Sequence, residues 1–314
     1  AQDAFANTLT SNLPSCPDPI RFTSLTALQA RYRTEQLSLH GILLGTVVRE
    51  RARDAATSTF PLPYTKLTPT LSASLRPFED ERLYVRWMYK HTFRMPTFND
   101  LYYHRSGNRN LRPEQAHEYN AGITWQAHPM GALSDLTLTI DGYFNDVTDK
   151  IVAFPSTYVW KMANYGHVHI TGLDATADAT WRITQGIHLT TGANYTLNHA
   201  LDVTDPTAQG YRVQLPYTPI HSGSAHLLLA TPWGNMGYSA LFASERYSMS
   251  EHTSRYRIDG YAEHTITLSR TFTIGDTRLT TRAEAINFTH AQYQIIQYYP
   301  MPGRQFRISF NIKL

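Results

Sequence analysis

The sequence predicts an all-β protein, an antiparallel meander of about 13 long strands that crosses a membrane as part of a β-barrel. Three observations predict this class. Apolar and polar residues alternate with a period of two, most of the alternating segments are longer than ordinary strands, and the connections between them are by turns short and long. No window of comparable length favours a helical period.

The C-terminal segment, residues 305–314, shows the alternation most clearly. Its apolar residues are Phe306, Ile308, Phe310, Ile312 and Leu314, with Gln305, Arg307, Ser309, Asn311 and Lys313 between them. A period of two predicts a strand with one apolar and one polar face. The same pattern recurs at 83–90, 136–145, 173–181 and 187–197.

Turn residues and alternation together delimit the predicted strands. Strands of globular proteins are most often about 5–6 residues long, whereas long strands suit a membrane-spanning barrel. The predicted spans are 21–34, 36–50, 65–76, 81–93, 115–127, 135–147, 165–181, 187–198, 219–230, 235–247, 257–272, 277–290 and 303–314.

The connections fall into two sets that alternate along the whole chain. Outer-membrane barrels have short periplasmic turns on one rim and long external loops on the other, which this order fits. A soluble all-β protein is the alternative, but it offers no reason for the alternation. The short connections are "TEQ", "PFED", "HPMGALS", "TQG", "TPWGN" and "IGD", and the long ones are 51–64, 94–114, 148–164, 199–218, 248–256 and 291–302.

Composition argues against several other classes. The formal net charge is +3 and no long basic run occurs, so nucleic acid is not an expected partner. Cys16 is the single cysteine, which leaves no internal disulfide and no cysteine-based metal site. No stretch approaches about 18 apolar residues, so no transmembrane helix is predicted.

Aromatic residues gather near the predicted strand ends. An amphipathic ring prefers the headgroup level of a bilayer, so this placement fits an interfacial girdle. These residues are Trp125, Trp160, Trp181, Trp233, Tyr247, Tyr261 and Tyr293.

The odd strand count does not fit a closed barrel. Single-chain bacterial barrels have an even number of strands, so both termini lie on one side. The last strand runs down from a long loop, and counting back makes 21–34 run down as well. We therefore expect residues 1–20 to form an external loop and 21–34 and 303–314 to be free edges of an incomplete barrel.

Two motifs then resemble a known family. Residues 93–96, "FRMP", and 108–114, "NRNLRPE", resemble the two boxes of TonB-dependent outer-membrane receptors, and 286–314 resembles their final hairpin through "NF", "YPMPGR" and Phe306. Leu314 and Arg109 depart from the pattern, because the family usually has an aromatic and a proline at these positions.

The resemblance implies that residues 1–314 are the C-terminal portion of the barrel domain of such a receptor. The whole barrel would have 22 strands and an N-terminal plug, which is not visible in this sequence. The implied function is energy-coupled uptake of a large metal chelate: a corrinoid, a ferric siderophore or haem. Implied partners are the chelate, TonB through the plug region, outer-membrane lipid and, left open, a surface lipoprotein.

The segment between the two boxes is the first candidate ligand site. Prolines end the strands here, so the boxes are interpreted as structural. The tip residues Tyr102, Tyr103, His104 and Arg105 would stand at the mouth of the barrel, where tyrosine and arginine anchor ligands. Haem-transporting members carry a haem-ligating histidine between the boxes, which makes His104 a possible haem ligand. No other metal site and no cofactor are predicted.

Other long loops repeat the combination of aromatic and basic residues. Stacking rings and guanidinium groups suit a large, planar, partly anionic ligand. Tyrosine-rich loops that pack on each other and on the membrane interface are the open alternative. The candidates are Tyr158, Trp160, Tyr211, Arg212, Tyr217, Arg246, Tyr298 and Tyr299.

Two other functions stay open. A barrel enzyme would need a nucleophile with a base, or a set of aspartate and histidine residues, on facing strands, and the candidates are Asp141, Asp174, Asp178 and His188. No G-x-S-x-G motif occurs, and inward-facing aspartates are ordinary in a wet lumen, so the chain is predicted not to be an enzyme. A passive porin is the second alternative, and the family boxes argue against it.

Overall fold

The computed structural model describes residues 19–51, 63–79, 82–103, 106–129, 131–155, 160–208 and 210–313. Thirteen of its strands form one antiparallel sheet in chain order, which confirms the predicted meander. They are β1 (Ile20–Arg33), β2 (Leu37–Arg51), β3 (Tyr64–Leu75), β4 (Arg82–Arg94), β5 (Glu114–Ala127), β6 (Leu133–Pro155), β7 (Trp160–Thr184), β8 (Ile187–Asp202), β9 (His221–Thr231), β10 (Gly234–Ala243), β11 (Tyr261–Ile274), β12 (Thr277–Ile286) and β13 (Gln305–Lys313).

The sheet has two free edges. Within the described residues β1 pairs with β2 alone and β13 pairs with β12 alone, as the sequence predicted. Their apolar side chains are correspondingly uncovered, with Phe22 66% and Phe306 78% exposed. The predicted external loop 1–20 lies almost wholly outside the described residues.

The strand register assigns side chains to two faces. Residues directly opposite across an antiparallel pair lie on the same face, and successive residues point to opposite faces. Pairs such as Trp125 with Leu138, and Leu138 with Ala177, trace one surface across the sheet, which we call the apolar face. Its exposed members include Leu28, Leu43, Leu71, Trp87, Ile123, Ile140, Leu173, Leu227, Leu268 and Phe310.

The opposite surface, the polar face, is lined by charged and hydroxyl-bearing side chains. The Arg86 guanidinium donates to both carboxylate oxygens of Asp141 at 3.0 Å across two strands. Farther along, the Thr196 hydroxyl donates to Asp174 at 2.6 Å. Charges of this kind need partners or water, so this wall suits an aqueous interior.

The connections sort onto two rims of the sheet. Short turns, 34–36, 76–81, 128–132, 185–186, 232–233 and 275–276, join the strands at one end, which we call the short-turn rim. The long connections 95–113, 203–220, 244–260 and 287–304 emerge at the other end, the long-loop rim, where β2 also ends and β3 begins.

One predicted long loop is wrong. The described residues of 148–164 are strand and not loop, because β6 continues to Pro155 and β7 begins at Trp160, so these two strands project past the long-loop rim. Packing explains the extension: Ile151 on this hairpin is 6% exposed and clusters with Leu101 and Leu111 of the 95–113 connection. Burial of this apolar surface stabilises a ladder that period-two reasoning ended too early.

Four predicted strand ends are also wrong, and one of them is 198, because β8 continues to Asp202. The strand predicted at 235–247 ends at Ala243 and the one predicted at 257–272 begins at Tyr261, because Arg246–Tyr247 and Arg257–Ile258 pair with each other instead. The strand predicted at 277–290 ends at Ile286, where the next residue, Asn287, takes a φ of 49°. A left-handed residue cannot continue the ladder. A second small ladder joins Gln294–Ile296 to Tyr299–Pro300.

A short helix, α1 (Phe98–Tyr102), interrupts the 95–113 connection and was not predicted. The Thr97 hydroxyl accepts a hydrogen bond from the Asp100 amide at 3.1 Å, and the Asp100 carboxylate accepts one from the Thr97 amide at 2.8 Å. This reciprocal capping box starts the helix. Within the described residues, no helix has the length and apolar character needed to cross a membrane.

The 203–220 connection folds back over the polar face. Leu215 is 7% exposed and packs on Ala116, Val147, Val168 and Ala200, which all lie on that face. The Gln214 side chain secures it, accepting from the Ala200 amide at 3.0 Å. Because this connection turns inward, its residues cover the inner wall of the sheet.

Candidate ligand site

Three long connections meet over the polar face at the long-loop rim. The Tyr217 amide donates to the Tyr247 carbonyl at 2.7 Å, which joins the 203–220 and 244–260 connections. The Ser248 hydroxyl donates to the Gln297 side chain at 2.5 Å, which joins the 244–260 and 287–304 connections. Ser248 is 2% exposed, so the junction is a packed structure. We call this junction the vestibule cluster.

Arg246 is the charged centre of the vestibule cluster. It is only 5% exposed, and one terminal nitrogen donates to the carbonyls of Gln294 at 2.7 Å and Ile295 at 3.2 Å. Its guanidinium carbon lies 5.7 Å from the centre of the Tyr261 ring. Burial lowers the pKa of Arg246 from its ordinary value, because desolvation disfavours the charged form.

The other terminal nitrogen of Arg246 is buried and has no hydrogen-bond partner among the described residues. The carbonyls and aromatic rings around Arg246 are polar but carry no formal negative charge. A buried guanidinium without a carboxylate partner is costly, and an anionic oxygen would compensate it. The vestibule cluster is therefore suited to receive a carboxylate or phosphate group.

A tyrosine pair forms the wall beside Arg246. The rings of Tyr261 and Tyr293 stack with centroids 4.0 Å apart and planes within 10°. The Tyr293 hydroxyl donates to the Glu263 carboxylate at 2.5 Å. Burial, and then the hydrogen bond to Glu263, raise the pKa of Tyr293 well above its usual range. The stacked pair is a flat, rigid surface for a planar ligand.

The assignment of Tyr261 and Tyr293 to an interfacial girdle is wrong. Tyr261 and Glu263 are two residues apart on β11, so they lie on the same, polar face. Tyr293 stacks on Tyr261 from the 287–304 connection and therefore also lies on the inner side. By contrast, Trp125 lies on the apolar face, as a girdle residue would.

Tyr217 completes the vestibule cluster. Its backbone adopts a φ of 59°, an uncommon conformation for a bulky residue that requires support from its surroundings. Burial raises the pKa of Tyr217, while hydrogen bonds from the Gln297 backbone and the Ser248 side chain oppose that shift. The ring is thus held among Ser248, Gln297 and Arg246.

The segment between the two boxes lies apart from this cluster. Tyr102 ends α1 and packs on the apolar cluster beneath it, and the Arg109 guanidinium lies 5.7 Å from the centre of its ring. Tyr103 points outward and is 62% exposed. His104 and Arg105 lie outside the described residues.

The remaining candidates are scattered. Tyr158 lies outside the described residues, and Trp160 is described only as the first residue of β7. Tyr211 lines an open groove with Asp202 and Thr204, and the neighbouring Arg212 is exposed with a φ of 58°. Tyr298 and Tyr299 form an exposed tip, 77% and 69% accessible.

Of the predicted candidates, the structure brings Tyr217 and Arg246 together in the vestibule cluster, with Tyr298 next to Tyr217. The other described candidates lie outside that cluster. Sequence reasoning missed Tyr261, Tyr293 and Glu263 as members of the same cluster. A usable signal existed for two of them, since period two places Tyr261 and Glu263 on the polar face of their strand. Nothing in the sequence pattern pairs Tyr293 with them.

A sheet of long antiparallel strands with one apolar and one polar face, and with long connections folded over the polar face, is the architecture of an outer-membrane barrel wall. The family model described as "TonB dependent receptor-like, beta-barrel" matches residues 5–288. This chain belongs to that family, and it is an outer-membrane protein.

Curated relatives and solved structures agree with this assignment. The chain is 24% identical to the vitamin B12 transporter BtuB of Photobacterium profundum over 227 residues, 70% of this chain and 34% of the relative. The ferric citrate transporter FecA, in its unliganded form, has a TM-score of 0.73 at 15% identity, covering 96% of this chain and 46% of that one. The copper transporter OprC has a TM-score of 0.71 at 13% identity, and the match covers 92% of this chain and 47% of OprC.

The chain thus spans about a third of the length of that B12 transporter and less than half of each of these two solved structures. At these identities the structural likeness concerns the fold. The family and these neighbours are named as receptors and transporters.

Proposed function

We propose that this chain is the C-terminal portion of the barrel domain of a TonB-dependent receptor, and that it carries part of the cargo vestibule for energy-coupled uptake of a large metal chelate. The observation that carries the proposal is the vestibule cluster: a buried arginine, a stacked tyrosine pair and an inward-folded connection, all on the polar face. TonB would be engaged through the plug region of the whole receptor, and a surface lipoprotein stays open as a further partner.

The chemistry of the cluster favours one class of cargo. Arg246 offers a nitrogen without a partner among the described residues, and Tyr261 with Tyr293 offers a flat aromatic surface beside it. A chelate that combines a planar or aromatic body with carboxylate or phosphate groups would use both. Corrinoids, haem and ferric siderophores share these features. The similarity to a vitamin B12 transporter supports the corrinoid.

Binding of defined chelates to the full-length receptor in detergent tests this proposal. Cyanocobalamin, haem, ferric citrate and a ferric catecholate are titrated calorimetrically. For the chelate that binds, Arg246→Ala is expected to weaken affinity at least about tenfold, because the charge-assisted hydrogen bond is lost. Arg246→Lys keeps the cation without the planar fork and should restore part of the affinity.

Arg257→Ala is the matched control for this experiment. Arg257 belongs to the same small ladder as Arg246, but its guanidinium is half exposed and pairs with Glu245 at 3.1 Å and Asp259 at 3.2 Å. This variant should bind the chelate like the parent, and all variants should keep the fast electrophoretic mobility of an unheated barrel. A folded Arg246→Ala receptor with parental affinity would remove the cluster from the cargo site.

A further inference from the structure

A repeated pair of side chains lies on the apolar face near the long-loop rim. In three pairs of neighbouring strands, a tyrosine hydroxyl contacts Nδ1 of a histidine on the next strand. One residue of that strand lies directly opposite the tyrosine, and the histidine is two residues closer to the long-loop rim than that residue. The rings stack with interplanar angles below 30°. The pairs are Tyr89 with His117 at 2.9 Å, Tyr195 with His221 at 2.7 Å and Tyr238 with His264 at 2.8 Å.

The β6–β7 hairpin has an aromatic residue and a histidine at the equivalent two positions, but their rings meet edge to face and the chemistry differs. Phe144 takes the tyrosine position, with its ring 5.3 Å from that of His169, and it has no hydroxyl to donate. His169 instead directs Nε2 toward Asp146 Oδ1, 3.6 Å away. His167 hydrogen-bonds the same Asp146 oxygen through its own Nε2.

Two imidazoles therefore converge on one carboxylate oxygen. The two histidine rings are perpendicular, at 85°, with centroids 4.8 Å apart, and the three potential ligand atoms all lie within 4.8 Å of one another. Ligand atoms around a tetrahedral zinc ion are about 3.3 Å apart, given bonds of about 2.0–2.1 Å. Small side-chain rotations would bring the three groups to that spacing.

We propose that Asp146, His167 and His169 form a binding site for a divalent first-row transition ion on the outer wall of the barrel. Two imidazoles and one carboxylate are a ligand set for Zn²⁺ or Cu²⁺, with water in the remaining positions. The three side chains are each about a third exposed, so an ion can reach them from solvent. This site is separate from the vestibule cluster, because it lies on the apolar face.

The strands on either side of this site, β5 and β8, place one residue next to each end of it. His117 of β5 lies directly opposite Asp146, and Leu201 of β8 lies directly opposite His169. His117 already contacts Tyr89 through Nδ1, so it is not required for the three-ligand set. The His167 amide donates to the Thr204 hydroxyl at 3.0 Å, which anchors the backbone of one ligand. The ion would link β6 to β7 at the base of their projecting hairpin.

The experiment uses the full-length receptor in detergent, purified without a histidine tag and stripped with chelator. Zn²⁺ is titrated in competition with a chromophoric chelator, and Cu²⁺ is examined by electron paramagnetic resonance. We expect one stoichiometric ion and a copper spectrum with hyperfine splitting from two imidazole nitrogens. His167→Ala and His169→Ala should each weaken zinc binding at least about tenfold, as expected when a direct ligand is lost.

His221→Ala is the matched control, because His221 occupies the position equivalent to His169 in another hairpin but is bound to Tyr195. It should leave the stoichiometric zinc affinity unchanged. Asp146→Asn keeps the shape of the ligand set, so it tests the carboxylate if an alanine variant fails to assemble. Zinc binding that survives in His167→Ala, His169→Ala and Asp146→Asn alike, or that falls equally in His221→Ala, would overturn the assignment.

Discussion

Arg94 and Glu114, which belong to the two sequence boxes, form an ion pair of 3.2 Å across the rim ends of β4 and β5. Arg94 also forms an ion pair with Asp100 of α1 at 3.6 Å. The Glu114 carboxylate accepts a hydrogen bond from the Ile151 amide of the projecting hairpin at 2.9 Å. The boxes therefore connect two strands, a helix and a hairpin. This supports their interpretation as elements that set the shape of the rim.

Glu114→Gln should destabilise the rim, and Glu114→Ala more so. Glutamine retains an acceptor for the Ile151 amide but loses the charge that Arg94 requires, whereas alanine leaves that amide unpaired at a cost of about 2 kcal/mol. The measurement is the guanidinium midpoint of the detergent-refolded barrel, followed by tryptophan fluorescence. Glu245→Ala, which removes an exposed ion pair with Arg257, is the control and should change the midpoint little. Equal midpoints for all variants would contradict the structural role.

The tip between the boxes is predicted to contribute to cargo binding. Tyr103 is exposed, so its ring is available to a ligand. Replacing Tyr103 and Arg105 by alanine in the full-length receptor should weaken cargo binding at least about tenfold without lowering barrel yield. Replacing Pro96 and Pro113 should reduce assembly instead. Parental binding by the tip variant would leave the segment with a structural role alone, and loss of a visible-band cargo in His104→Ala alone would favour haem.

Sidedness is predicted from the two rims. Cysteines placed at Ala208 and Trp233, in a Cys16→Ser background, test it on whole cells with a membrane-impermeant maleimide. Both positions are exposed in the structure, so labelling reports the side of the membrane and not burial. The cysteine at 208 should react and that at 233 should react only after lysis. The reverse labelling pattern would show that the predicted orientation of the barrel in the membrane is wrong.

The raised pKa of Tyr293 predicts a late-titrating phenol. Its folded-state pKa lies above the ordinary value of about 10, so the protonated form contributes stability that is complete below about pH 10 and is lost as pH rises through the raised pKa. In an alkaline titration of phenolate absorbance, Tyr293→Phe should leave the ordinary tyrosine phase unchanged and remove one phenol from the late phase. Loss of a phenol from the ordinary phase would show that burial and Glu263 do not hold the proton.

Asn287 is predicted to be essential for the last long connection. It is fully buried at a φ of 49°; its amide nitrogen donates to the carbonyls of Ala291 at 2.9 Å and Pro302 at 3.3 Å, and its oxygen accepts from the Ala291 amide at 2.8 Å. Asn287→Ala leaves these backbone groups without their hydrogen-bond partner and places alanine in a strained backbone conformation. We expect the free energy of unfolding to fall by about 2–3 kcal/mol. Asn287→Gly relieves the strain alone and should be intermediate. The folded fraction of each variant is measured in unheated samples on gels. A folded fraction of Asn287→Ala equal to that of the parent would contradict the prediction.

Period-two alternation, together with the turn residues between the alternating segments, determined the sheet. It located all thirteen strands in their order and separated the polar face from the apolar face, because a strand that divides water from lipid must repeat every second residue. Alternation does not determine where strands end, as at 148–164, because packing by Leu101 and Leu111 from a distant connection decides how far that hairpin extends.

The sites depended on tertiary structure. Loop composition pointed to Tyr217 and Arg246, but their meeting with Tyr261 and Tyr293 results from three connections folding over one face, which no local pattern encodes. The histidines at 167 and 169 signal a shared face through their spacing, yet Asp146 joins them only because the register sets it opposite His169. Alternation is imposed on each strand by its two solvents, whereas a site requires residues from separate strands and loops to be brought together, and only the folded chain does that.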